Sequence, residues 1–121
     1  MRALIIEKDQ LIASALAESL ADLGFTSFHF VLTEVDAVAV AEHWRPDFII
    51  ADVSVSMDNG IGVVATICAV HTFPTVFMIA GSQEGLNRMP EAAVLRMPFG
   101  EVALKTAVSE VMSRKRTVFI G

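Results

Sequence analysis

Five short apolar runs, alternating with stretches of helical period, leave this 121-residue chain very few folds to adopt. The runs are Ala3-Leu4-Ile5-Ile6, Phe25 to Val31, Phe48 to Asp52, Thr75 to Ala80 and the short pair Val94-Leu95. Most are continuous rather than alternating, the pattern of strands covered on both faces. After the first run, Ile12, Leu16, Leu20 and Leu23 share a helical face that Gly24 can close. Thr33 can cap a second helix, which ends at about Trp44 because Pro46 disfavours helical backbone at Arg45. Ile61, Val64, Ile67, Cys68 and His71 share a third face, and Leu104, Val108, Val111 and Met112 share a last one that ends near Arg114. Residues 81–90 hold Gly81, Gly85 and Pro90, so that segment is short or irregular as a helix. Such alternation predicts a three-layer α/β/α sandwich around a parallel sheet, with right-handed crossovers. Residues 1–121 read as one domain, and 114–121 as a basic C-terminal tail.

Composition bounds the function. A hydrophobic share of 54% excludes disorder, yet no apolar run is long enough to span a bilayer. The chain enters its first strand directly, so no signal peptide is expected, and the single cysteine, Cys68, suits a reducing cytoplasm and a core role. All fourteen acidic residues precede Arg114, and the body to Ser113 carries a net charge of −8. That argues against nucleic acid as a partner of the body. Arg114, Lys115 and Arg116 either complement the dipole of the last helix, are solvated, or meet an acidic partner.

In a parallel sheet of this kind the site forms at the carboxyl ends of the strands. The residues delivered there are Glu7, Lys8, Asp9, Asp52, Ile79, Ala80, Met97 and Pro98. His29, His43 and His71 are too scattered for a metal site. Ser54 and Ser56 can simply satisfy loop backbone, and Trp44 reads as a hydrophobic lid. No nucleophile–base arrangement and no Gly-rich phosphate loop follows any strand, so no enzymatic activity is expected.

Three stretches carry a resemblance: Leu4-Ile5-Ile6-Glu7-Lys8-Asp9 before an amphipathic helix, Arg45-Pro46-Asp47 leading to Asp52 with Gly60 eight residues on, and Pro98-Phe99 after strand five. In order and spacing the chain resembles the receiver domain of two-component response regulators along essentially its whole length. The resemblance implies a flavodoxin-like sheet of order 2-1-3-4-5. It implies Asp52 as the phosphoacceptor position and Glu7 as one of two acids that hold magnesium beside it. The family adds a Thr or Ser after strand four and a Lys before the proline of strand five, which bind phosphoryl oxygens.

Here Lys8 stands where the second acid is expected, Ile79 replaces the hydroxyl and Met97 replaces the lysine. Val94 takes the switch aromatic's place, and the chain between strands four and five is about one helical turn short. The usual three carboxylates and one lysine leave −2, which calls for a divalent cation; Glu7, Asp52 and Lys8 leave −1. The leading expectation is therefore an atypical, stand-alone receiver in cytoplasmic two-component or phosphorelay signalling, with no membrane partner. It would act by protein–protein contact without phosphorylation, Lys8 pairing with Asp52 in place of the metal. Its partners would be a histidine kinase, another regulator or an adaptor, or a second copy through the face of residues 81–90, strand five and the last helix. The alternative is a weakened phosphoacceptor at Asp52, with Mg2+ on Glu7 and Asp52 and Asp9 supplying a further acid. More remote is a flavodoxin-like small-molecule binder, against which the acidic, Gly-free Glu7-Lys8-Asp9-Gln10 loop speaks.

Overall fold

The computed structural model describes residues 1–52, 73–79 and 92–120. Its strands are β1 (Arg2–Ile6), β2 (Ser27–Val31), β3 (Phe48–Asp52), β4 (Thr75–Ile79) and β5 (Ala92–Arg96). Its helices are α1 (Gln10–Ala21), α2 (Glu34–Trp44) and α3 (Glu101–Ile120). The strands form one parallel sheet in the order β2-β1-β3-β4-β5. The 53–60 loop, the 61–71 helical pattern with Cys68 and the 81–90 segment lie outside the described residues.

Period-2 geometry splits each central strand between two cores. Ala3, Ile5, Phe48, Ile50, Val76 and Met78 pack with Leu16 and Leu20 of α1 and Leu104, Val108 and Val111 of α3. Leu4, Ile6, Ile49, Ala51, Phe77 and Ile79 pack on the other face with Ala37 and Ala41 of α2. Every residue of β3 and β4 is buried, which explains why those runs are continuous in the sequence.

Local chemistry sets the boundaries. Asp9 caps α1, its Oδ1 accepting from the Leu11 and Ile12 N–H groups at 2.9 and 3.3 Å. Gly24, at φ +101°, turns the chain out of α1, and the Phe25 N–H returns to the Leu20 carbonyl. Thr33 Oγ1 caps α2 by accepting from the Asp36 N–H at 3.2 Å. Arg45, at φ +54°, ends that helix ahead of Pro46. The reach of three elements differs from expectation. The buried face of α1 runs through Ala13, Leu16 and Leu20 and leaves Ile12 partly exposed, one position around the helix. β5 spans five residues rather than two, because pairing along β4 orders its flanks. α3 continues to Ile120, past the expected stop near Arg114, where no Gly or Pro interrupts it. Among the described residues, no helix is long and apolar enough to cross a membrane.

At the amino ends of the strands, the Arg2 N–H donates to Asp47 Oδ2 at 2.7 Å and the Asp47 N–H donates to the Arg2 carbonyl at 2.9 Å. Arg2 lies over the Trp44 ring, 5.7 Å from its centroid, and His29 meets that ring edge-on at 5.1 Å. Trp44 thus lids the α2-side core, as expected.

Candidate functional site

The register brings the two central acids together. Ile6 of β1 pairs with Ala51 of β3, so the next step sets Glu7 beside Asp52 at the carboxyl edge. Both are buried, at 2% and 6% exposure. By strand parity they lie on the α1 side of the sheet, where Asp52 is in register with the fully buried Met78.

Glu7 is only half satisfied. Its Oε1 accepts from the Asp9 N–H at 3.0 Å, while its buried Oε2 accepts no hydrogen bond among the described residues. Burial is the main reason its carboxyl is pushed up from 4.5 to about 7. Hydrogen bonding to Asp52 and the charges of Asp52 and Asp9 push the same way, against the Asp9 N–H. A protonated Glu7 carboxyl can donate a hydrogen bond toward Asp52.

The remaining sequence-predicted residues separate into three groups. Asp9 stays near enough to raise Glu7, but its Oδ1 is engaged at the start of α1. Lys8 corrects an expectation: it is exposed, and the ion pairs found among the described residues both belong to Lys105, with Asp22 at 3.3 Å and Glu101 at 3.5 Å. The cause is position, since Lys8 lies past the end of β1 at Ile6, where the chain leaves the covered sheet. Ile79 is 1% exposed in the α2-side core, and Met97 packs half-buried against the α1-side core. Their backbones meet, the Met97 N–H donating to the Ile79 carbonyl at 2.8 Å. Pro98, after a cis Met97–Pro98 bond, is exposed, and Val94 is 39% exposed.

Among the described residues no three His, Cys, Asp or Glu side chains are grouped to hold a metal. Magnesium accepts one or two carboxylates with water in its other positions, so Glu7 and Asp52 are the residues that would hold it. The unsatisfied Glu7 oxygen suits such a hard cation, which would have to displace the proton.

The sequence did not suggest a groove beside these acids. Glu7, Gln10, Ala13, Ser14, Phe30 and Leu32 line a volume of about 320 Å3 between α1 and the end of β2. Its signal was available in the large apolar residues Phe30 and Leu32 at the end of an edge strand, where they remain 48% and 53% exposed.

No family model matches the chain. It is 33% identical to the transcriptional regulatory protein PdtaR of Mycobacterium tuberculosis over 97% of its own length, and it spans 59% of that protein. The response regulator PhyR from Brucella abortus superimposes with a TM-score of 0.83 at 26% identity, over 98% of this chain and 50% of that one. The receiver domain of PhyR from Erythrobacter litoralis matches at 25% identity with a TM-score of 0.78, over 92% of this chain and 88% of that domain.

Proposed function

This chain belongs to the receiver domains of response regulators in two-component signalling, and from that membership we propose that it signals through protein–protein contact without an aspartyl-phosphate switch. The observation that carries this reading is the apolar filling at the carboxyl edge. Ile79 and Met97 occupy the positions of the expected hydroxyl and lysine, and both are packed against hydrophobic cores. A phosphoryl group on Asp52 would find neither a hydroxyl nor an ammonium at those positions to bind its oxygens. Lys8 has no part in this reading, because it points to solvent.

Beryllofluoride with Mg2+ tests it: amide spectra near Glu7, Asp52 and Met97 should not change. Saturable shifts at those residues that vanish in Asp52→Asn would reject it. Those shifts would favour a second reading, supported by the unsatisfied Glu7 oxygen beside a buried Asp52: a weakened phosphoacceptor that uses Mg2+.

The partners fall in the class of other signalling proteins, such as a histidine kinase, a regulator or an adaptor. Self-association is proposed through the face that includes β5 and α3, where Val94 and Val102 are 39% and 80% exposed. It would be constitutive, so the mass in light scattering should rise with concentration without phosphodonor. A concentration-independent monomer mass would exclude it.

A further inference from the structure

β2 is an edge strand: it pairs with β1 on one side, and among the described residues no strand lies beyond it. Its register with β1 runs unbroken from Ser27 to Val31, so no bulge bends the outer edge away. Ser27, His29 and Phe30 are exposed. Edges of this kind are ordinarily blunted by charge or proline, yet no Asp, Glu, Lys, Arg or Pro occurs from Leu23 to Thr33. The outer row of peptide groups is a template for another extended strand rather than for a helix or a nucleic acid.

The strand's own sequence points to which strand that is. Phe28-His29-Phe30 reads the same in both directions, so an antiparallel copy centred on His29 sets each Phe28 opposite Phe30 of the other copy. The two rings already stand on one face of β2, 6.5 Å apart and 27° from parallel, and Phe28 packs against the α1-side core. We propose that β2 pairs antiparallel with β2 of a second copy of this chain, joining two five-stranded sheets into one. Aromatic pairs across the strands stabilise such a ladder. Charge also favours this edge as the meeting place of two copies. The chain carries −5, and like copies repel wherever acids meet, whereas this strand brings none together. His29, on the opposite face against Trp44, then meets its own counterpart on the two-fold axis. The contact lies across the sheet from the β5 and α3 face and does not depend on it.

Amide hydrogen exchange and sedimentation of the full chain test it. Exchange at Phe28, His29 and Phe30 should slow as protein concentration rises, a measurement that needs no variant. In sedimentation, His29→Asp and His29→Lys should each weaken self-association roughly tenfold or more, because each sets like charges face to face. An equimolar mixture of the two variants should recover it, since position 29 faces itself. His29 is exposed, and unchanged exchange within β3 checks that each variant folds. Exchange that slows at β5 and α3 but not at β2 would overturn this contact and leave the other face standing. Association unchanged in both variants, or variants that stay apart when mixed, would overturn it as well. A chain that remains monomeric at every concentration would do the same.

Discussion

Glu7 couples the fold to proton concentration. With its carboxyl raised from 4.5 to about 7, the folded state holds a proton that the unfolded chain releases first. The stability it contributes is full below pH 4.5, falls as pH rises toward about 7, and is gone above it. In metal-free buffer, Glu7→Gln should flatten that decline, with a gain above pH 7 of at most about 3 kcal/mol. Urea unfolding at pH 5 and pH 8 measures it, and equal pH slopes in the two proteins would contradict it. Lys8→Ala, by contrast, should change stability by less than about 0.5 kcal/mol, because Lys8 is exposed and outside the ion pairs found. Had Lys8 paired with Asp52, its removal would have cost several times more. This residue marks the limit of sequence reading at the site. Chain order puts Glu7, Lys8 and Asp9 at one edge, but which of three consecutive side chains turns inward depends on where the strand ends and on the helix that follows. The cap role of Asp9 was not anticipated, since the same acid also read as a further carboxylate of the pocket.

At the scale of elements, boundaries were readable wherever a local device sets them. β3 spans its expected residues, Phe48–Asp52, because Pro46 closes α2 before it and the acid ends its apolar run. Thr33 and Gly24 act where their chemistry placed them. The end of α3 was not readable, since basic and polar residues neither favour nor forbid another turn. Asp9→Ala should lower stability by about 1 kcal/mol through loss of the α1 cap, with the first turn of α1 exchanging its amides faster. Thr33→Ala should have a similar cost, localised to α2. Hydrogen exchange distinguishes the two, and uniform loss of protection across the sheet in either variant would count against a capping role.

Over the whole molecule, one sheet is sealed between two cores, and stability resides where the central strands cross them. Phe48 is fully buried, 5.5 Å from the Phe25 ring and on the α1 side. Phe48→Ala should cost about 3–5 kcal/mol, a large share of the roughly 5–15 kcal/mol that stabilises an ordinary domain. Fluorescence of Trp44, the only tryptophan, sits on the opposite core and should report the same unfolding midpoint if the two cores melt together. Separate midpoints would show that they do not.

The hydrogen bonds between Arg2 and Asp47 have a consequence at the far edge. Glu7 lies five positions after Arg2, and Asp52 lies five positions after Asp47. Two ladders tied at the foot and climbed by the same number of rungs end level, so the carboxyls meet because the counts agree. One residue added to or removed from either ladder would carry one acid past the other and turn it to the opposite face of the sheet.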